Sequence, residues 1–139
     1  MEVTGSHIVV RGLTFRFASN NAQQPAFRMA GDYNLAEDCT IEYTGGEGAA
    51  FDGQGNVFRR VTSRKNGQIG MGAHGADNSF EDCRLEGNNT IGFAKGWDAG
   101  GIKVAVSRRL RIRQSIAAGN NGAGFWFDID NRDGIIEDS

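Results

Sequence analysis

The feature that most constrains this chain is a set of apolar positions that recur every 22 to 32 residues along its length. One such position is occupied by Val10, Ala36, Phe58, Phe80, Ile112 and Ile136. Three residues later stand Leu13, Cys39, Val61, Cys83 and Ser115, and two residues further on stand Phe15, Ile41, Ser63, Leu85 and Ala117. Agreement at several positions over five repeats indicates one structural unit per repeat.

The pattern inside each repeat predicts short strands. Phe125 and Phe127 alternate with Trp126 and Asp128, as on a strand with one buried face. No helical stripe persists over several turns, and a repeat of about 22 residues with three strands is typical of a parallel β-solenoid coil. We therefore expect an all-β parallel β-helix of about five coils, forming a single domain over residues 1–139. Both ends look like cuts through a longer array.

Asparagine recurs in two further series, which predict hydrogen-bonded amide ladders in the turns between strands. These series are Asn34, Asn56 and Asn78, and Asn66, Asn88 and Asn120. Glycine is also abundant, with 21 residues, which suits a chain with many tight turns.

Two coils are longer than the others, through residues 18–26 and residues 88–101. An insertion into a solenoid must leave the stack as a loop, and such loops often form a binding site. The second loop contains Lys95, Trp97 and Asp98.

The two cysteines are predicted to be free thiols. Cys39 and Cys83 are separated by two ordinary coils with Val61 between them. Two strand spacings amount to about 9–10 Å, whereas a disulfide needs Cα atoms within about 7 Å. Neither zinc nor a disulfide is expected here.

Charge and hydropathy exclude several classes of function. The net charge is -2, which argues against a nucleic-acid partner. The basic run over residues 108–113 alternates with Leu110 and Ile112 and is interpreted as a solvated strand face, with an acidic polysaccharide as the alternative partner. No apolar run is long enough for a membrane span, and no signal peptide is visible at the start of the chain.

Three segments carry a resemblance to a known family: Gly100–Val104, Asn120–Asn131 and the Asn-x-Phe-x-Asp-Cys-x-Leu pattern at Asn78–Leu85. The chain resembles the right-handed parallel β-helix repeat family with the pectin-lyase-like fold. That resemblance implies a right-handed coil, a protein that is secreted or on the cell surface, and a role on polysaccharides. The family includes lyases, hydrolases, epimerases, phage tailspikes and proteins without known catalysis.

The candidate site is the outward face of the strands that contain Lys103 and Trp126. If Ile102 and Val104 point inward, Lys103 points outward and lies beside Trp126, while Ala105 leaves space beside Asp128. In the preceding coil, Ile69 and Met71 are expected inward and Gln68, Gly70 and Gly72 outward, with the glycines forming a flat floor. His74, Lys95, Trp97 and Trp126 are predicted to bind the substrate, and Lys103, Asp98 and Asp128 to be catalytic.

Three activities fit these residues. A β-elimination lyase would use Lys103 as a base of lowered pKa, with Ca²⁺ held by Asp128, Asp130 and Asp133. A glycoside hydrolase would use two carboxylates, either Asp128 with Asp130 or Asp98 with Asp128. A tailspike-like or adhesin-like protein would bind a glycan without turnover.

Structural explanations compete with each assignment. Asp130, Asp133 and His74 are also typical turn residues, and Lys103 also suits a solvated strand face. An enzyme acting on polysaccharide is favoured over a binding module by the crowded face around Lys103 and the long loop. Because an open solenoid end is an unpaired edge, self-association through the coil ends is expected.

Overall fold

The computed structural model describes residues 1–139 and contains strands but no helix. The strands in chain order are β1 (Glu2–Val3), β2 (Val9–Arg11), β3 (Thr14–Arg16), β4 (Pro25–Ala30), β5 (Leu35–Glu37), β6 (Thr40–Glu42), β7 (Glu47–Gln54), β8 (Val57–Arg59), β9 (Thr62–Arg64), β10 (Ile69–Ala76), β11 (Ser79–Glu81), β12 (Arg84–Glu86), β13 (Gly100–Arg108), β14 (Arg111–Arg113), β15 (Ile116–Ala118), β16 (Ala123–Phe127) and β17 (Ile135–Glu137).

The strands stack into three parallel sheets that run along the length of the molecule. Sheet A has the order β1-β4-β7-β10-β13-β16, sheet B the order β17-β14-β11-β8-β5-β2, and sheet C the order β15-β12-β9-β6-β3. Every third strand therefore pairs with its equivalent one coil away, which is the predicted β-solenoid. The stack has about six turns: β2 to β16 form the five expected coils, and β1 and β17 add a partial coil at each end.

The register of the strands confirms the apolar series found in the sequence. In sheet B, Val10 pairs with Ala36, Ala36 with Phe58, and Phe58 with Phe80. The same column continues through Ile112 to Ile136. In sheet C, Phe15, Ile41, Ser63, Leu85 and Ala117 form one column.

These inward columns merge into one core of 20 buried apolar residues. Its centre is aromatic: the rings of Phe51 and Phe80 stack at 4.8 Å between centroids, and Phe58 meets Phe51 edge to face at 4.8 Å. Burial of such rings contributes most of the stabilisation of a core of this size. Because Phe51 of sheet A packs against Phe58 and Phe80 of sheet B, these contacts hold sheet A in place.

Each coil turns its corners at single residues in the left-handed α conformation. Asp38, Arg60 and Asp82 occupy the corner between sheets B and C in successive coils, with φ of 53°, 50° and 52°. One residue of this conformation reverses the course of the chain sharply, so consecutive strands need almost no connecting loop. The arrangement explains how three strands fit into 22 residues.

The predicted asparagine ladders are present on both other corners. The Oδ1 atom of Asn56 accepts a hydrogen bond from the backbone N–H of Asn34 at 3.0 Å, and Asn78 accepts from Asn56 at 2.8 Å. On the second corner Asn66 bonds to Asn88, and Asn88 to Asn120, in the same way. These bonds satisfy backbone groups that would otherwise be buried without partners.

Both cysteines are free and buried, as the two-coil spacing predicts. Burial raises the pKa of the Cys83 thiol to about 12, so it stays protonated and inert. Cys39 and Cys83 are thus small apolar members of the core.

One expectation about sheet A is wrong. A Cβ atom on Gly70 would meet Leu85 and Asn88 inside the solenoid, so Gly70 faces inward. Ile69 instead lines an outer cavity and is absent from the core cluster. Strict alternation begins only at Met71, because the chain is still leaving the corner at Gln68. Gly72 faces outward as expected, against Ala50.

Candidate functional site

The long strands of sheet A carry a groove on their outer face. One outward column of this face contains Glu2, Arg28, Ala50, Gly72, Lys103 and Trp126. Small residues in the middle of the column leave a depression between charged residues at either end. The predicted pairing of Lys103 with Trp126 is therefore present, and it lies at one end of the groove.

Lys103 is surrounded by an aromatic ring and two carboxylates. Its Nζ atom lies 4.8 Å from the centre of the Trp126 ring and 2.9 Å from Oδ2 of Asp128. It also forms an ion pair with Asp98. Partial burial lowers the pKa of Lys103, but the hydrogen bonds to Asp98 and Asp128 outweigh that effect and raise it. The prediction that Lys103 has a lowered pKa and acts as a base is therefore wrong.

The two long loops form one wall along the start of the sheet A strands. The side chain of Gln23, in the first loop, donates a hydrogen bond to Asp98, in the second. The backbone N–H of Gln23 donates to Oε1 of Gln68 at 2.6 Å, and Asn20 donates to the carbonyl of Glu47 at 2.9 Å. Each loop is thereby attached to coils other than its own. The sequence predicted that the loops border the site but not that they contact each other.

Glu47 lies at the centre of the groove. Its carboxyl group projects over Gly72, where a Cβ atom would come closer to Oε1 of Glu47 than real contacts allow. The residue is 9% exposed, and its carboxyl group makes no ion pair or hydrogen bond with the protein. Burial raises the pKa of Glu47 to about 8, and the charges of Asp98 and Asp52 add to the effect. Glu47 therefore carries a proton at neutral pH.

The pKa of Asp52 is shifted in the opposite direction to that of Glu47. Its Oδ1 atom lies 3.2 Å from Nδ1 of His74, and its Oδ2 atom accepts a hydrogen bond from Nε of Arg28 at 2.7 Å. The hydrogen bond from His74 lowers the pKa of Asp52, and the bond from Arg28 acts in the same direction against partial burial. Asp52 is therefore ionised while Glu47 is neutral.

Two cavities meet at Glu47 and together form the groove. One, of about 280 Å³, is lined among others by Ile69, Asp98 and Lys103. The other, of about 540 Å³, is lined among others by Arg28 and Asp52. Gln23, Glu47 and His74 line both. A ligand that fills the groove must therefore pass directly over the carboxyl group of Glu47.

A β-bulge in β13 widens the groove beside His74. The register between β10 and β13 shifts between Ala73 and Gly75, so that Ala105 and Val106 together lie opposite His74. Val106 has a φ of 50°, a strained value for a β-branched residue. Bulges next to functional sites commonly redirect a side chain, and here Ala105 lines the cavity while Val106 turns outward to solvent.

The other residues predicted for the site lie outside the groove cavities. Trp97 is 44% exposed and packs on Phe93, with ring centres 5.7 Å apart. Lys95 is exposed in the same loop. Neither residue lines the two cavities of the groove.

The predicted calcium site is not assembled. No group of three or more His, Cys, Asp or Glu side chains is arranged to hold a metal ion. Asp128 is paired with Lys103, whereas Asp130 is paired with Arg132 at 3.4 Å. Asp130 and Asp133 both occupy left-handed turn positions, with φ of 49° and 57°.

Sequence reasoning missed Glu47, Asp52, Arg28 and Gln23. One signal was available for Glu47, which starts a strand at the position where the next coil has Ile69. A charged residue at a position that is apolar one coil away indicates a departure from the repeat. Asp52 and His74 share one column, and their contact follows from the same alignment. The role of Gln23 required the folded path of a nine-residue loop.

The comparisons with known proteins agree with the fold. The model of the right-handed β-helix region matches residues 3–139, so the chain belongs to the right-handed β-helix family. This result confirms the predicted family and the hand of the coil. No curated protein and no solved structure matches the chain. No helix in the chain is long and apolar enough to cross a membrane.

Proposed function

We propose that this protein hydrolyses glycosidic bonds of a polysaccharide that lies along the outer face of sheet A, with Glu47 as the general acid. The observation that carries the proposal is the side chain of Glu47, which lies over Gly72, faces an open groove and has no partner in the protein, so that burial raises its pKa to about 8. A general acid for this reaction must hold its proton near neutral pH.

Asp52 is the second carboxylate of the proposed reaction. Glu47 donates its proton to the glycosidic oxygen as the bond to the anomeric carbon breaks. Asp52 either accepts a proton from the water that attacks the anomeric carbon, or attacks that carbon itself to form a glycosyl ester, which water then hydrolyses while the ionised Glu47 takes up the proton of the water. Arg28 and His74 keep Asp52 ionised and fix its orientation. Carboxyl groups whose environments drive their pKa values apart are typical of acid and base pairs.

Hydrolysis is supported better than β-elimination. A lyase base must be deprotonated when substrate binds, but Lys103 is held as an ammonium ion between Asp98 and Asp128. Elimination also needs a cation to neutralise the substrate carboxylate, and Arg28, the other arginine or lysine that lines the groove, is already paired with Glu2 and Asp52. We therefore assign Lys103, Asp98 and Asp128 to one end of the groove as positioning residues.

A polymeric substrate fits the shape of the groove. The groove crosses several coils, and the loops at residues 18–26 and 88–101 border it as a wall on one side. Action on a polysaccharide also fits the secreted or cell-surface location that the family resemblance implies.

The test is a panel of neutral and acidic polysaccharides, with new reducing ends and unsaturated products measured side by side. We expect wild-type protein to release reducing ends only. Glu47→Gln should lower the rate by about 10²- to 10⁴-fold, the usual contribution of a general acid, while substrate affinity remains. Glu137→Gln, an exposed position outside the groove, is the matched control.

Two results would contradict the proposal. An unsaturated product that disappears in Lys103→Ala would establish a lyase. Binding without turnover by every variant would establish the non-catalytic carbohydrate-binding protein that the sequence also allows.

A further inference from the structure

At one end of the groove, one lysine side chain is paired with two carboxylates. Lys103 is the only cationic side chain that lines the cavity beside Asp98 apart from a histidine. It pairs with both Asp98 and Asp128, so one negative charge remains at this end. The face of Trp126 is also covered by the same ammonium group.

The other end of the groove repeats this arrangement. Arg28 forms ion pairs with Glu2 at 2.6 Å and with Asp52 at 2.7 Å. One guanidinium is again shared by two carboxylates, but His74 also lies 3.2 Å from Asp52 and Met1, with its amino terminus, lines the same cavity, so the excess negative charge is confined to the first end. Glu47 lies between the two ends and adds no positive charge.

The side chains with unpaired positive charge lie elsewhere. Arg108 and Arg111 border separate depressions, Lys95 is exposed in the second long loop, and Lys65 is exposed after β9. None of these four residues lines the groove cavities. A carboxylate or sulfate of a glycan bound beside Asp98 and Asp128 would therefore meet net negative charge and no unpaired lysine or arginine.

We propose that the groove selects against acidic glycans and binds an amino-sugar polymer more tightly than its neutral, N-acetylated counterpart. This inference rests on the proposed function, because it assigns the substrate class of the same groove. Protonated amines on the glycan would lie near Asp98 and Asp128, where attraction between opposite charges is strongest at low salt. A uronate would require one of the existing ion pairs to break.

A buried, unpartnered carboxyl group supports the assignment independently of the charge balance. Glu47 is nine-tenths buried and projects into the groove without a hydrogen bond from the protein. A sugar amine or hydroxyl group is a donor of suitable size for it. The charge of Asp98, which helps Glu47 to retain its proton, is also a charge that repels a uronate.

The test is calorimetric binding of three hexasaccharides to the Glu47→Gln protein at mildly acidic pH. The probes are the hexamers of glucosamine, N-acetylglucosamine and galacturonate. We expect the glucosamine hexamer to bind at least about tenfold more tightly than the N-acetylated one, with the galacturonate hexamer weakest. Added salt should shrink the difference.

A charge-matched pair of variants places the effect in the groove. Asp128→Asn removes one negative charge beside Lys103 and should weaken the preference for the amine. Asp82→Asn removes the same charge at a corner outside the groove and should leave the preference unchanged. Equal loss in both variants would overturn the assignment of the preference to this groove.

The failures of the two proposals are distinguishable. The specificity inference is wrong if the galacturonate hexamer binds as tightly as the glucosamine hexamer. It is also wrong if the N-acetylglucosamine and glucosamine hexamers bind equally tightly. In either case the proposal of hydrolysis stands. If wild-type protein neither binds nor cleaves any hexamer, the proposed function fails and the inference fails with it.

Discussion

The outer faces of sheets B and C differ sharply from the outer face of sheet A. Sheet B presents one column of alternating charge, formed by Arg11, Glu37, Arg59, Glu81, Arg113 and Glu137. Sheet C presents a shorter one, formed by Arg16, Glu42, Arg64 and Glu86. Sheet A interrupts its column with Ala50 and Gly72 and leaves Glu47 without a partner.

The difference separates charges that maintain the stack from charges that are available to a ligand. In sheet B, Glu81 contacts Arg59 at 2.8 Å and Arg113 at 3.3 Å, one coil away on each side. A slip of one coil would put like charges together, so the alternation favours one register. On sheet A the repeat is broken by a bulge, two loops and a protonated acid, and these breaks coincide with the groove.

The largest predicted effect concerns Glu47 and stability. Its pKa in the folded protein, about 8, is above its ordinary value, so the folded state holds the proton more tightly than the unfolded chain. The contribution of Glu47 to the free energy of unfolding is therefore greatest at a pH below the ordinary pKa of a glutamate. This contribution is lost as the pH rises to about 8. One pKa unit corresponds to about 1.4 kcal/mol, so Glu47→Gln should stabilise the protein at pH 9 by several kcal/mol.

The measurement is denaturant unfolding of the wild type and Glu47→Gln at pH 5 and pH 9. The gain should be small at pH 5, where Glu47 is protonated in the folded state. If the two proteins are equally stable at both pH values, the pKa of Glu47 is not raised in the folded protein. Glu47 then does not differ from the paired carboxylates of sheet B in the predicted way.

The second prediction concerns the space above Gly72. An alanine Cβ there would displace the carboxyl end of Glu47, a flexible group, without a clash with the backbone. Gly72→Ala should therefore lower the rate of hydrolysis by about 100-fold, because a general acid must lie within hydrogen-bonding reach, while the unfolding midpoint changes little. Gly5→Ala, where the added atom makes ordinary contacts, is the control. Full activity in Gly72→Ala would exclude Glu47 as the acid.

The third prediction tests the interior ladder. Asn66 accepts a hydrogen bond from the N–H of Thr44 and donates to Ser63 and Asn88. Asn66→Ala leaves these buried groups without partners and should cost about 1–3 kcal/mol of unfolding free energy. Asn21→Ala, at an exposed loop position, should cost little. Similar losses for both would mean that the ladder is not a stabilising unit.

The smallest predicted effect concerns the charge columns. Partial burial raises the pKa of Glu81, but hydrogen bonds from Arg59 and Arg113 outweigh it and lower the pKa. The resulting stabilisation is present above the ordinary Glu range and is lost as pH falls through it. Glu81→Gln should therefore cost about 1 kcal/mol at neutral pH and less at acid pH or high salt. An undiminished cost in high salt would argue against an electrostatic origin.

Much of the fold was predictable, because the signals are local and repeated. The column from Val10 to Ile136 and the ladder from Asn66 to Asn120 follow from spacing alone. The outward orientation of Lys103 and Trp126 also follows from spacing, because successive side chains of a strand point to opposite faces. The same rule failed at Ile69 and Gly70, where a corner residue displaces the start of the alternation.

The site was only partly predictable, because its decisive contacts join residues that no repeat relates. Gln23 and Asp98 meet across two inserted loops. Asp128 was predicted to hold calcium and instead holds Lys103. No spacing rule gives the path of an insertion, because its conformation is set by whichever coils it contacts.

The sequence by itself determined the solenoid, its three sheets, its inward columns and its free cysteines. Each follows from a short-range period repeated over about six turns, so a single alignment of the repeats specifies most of the strand pairings at once. Only the tertiary structure decided that Glu47 is buried beside Gly72, that Asp52 is held by His74 and Arg28, and that Lys103 is doubly paired. Burial and electrostatic interactions depend on distances through space, and these arise only when the loops and the bulge bring non-repeating residues together.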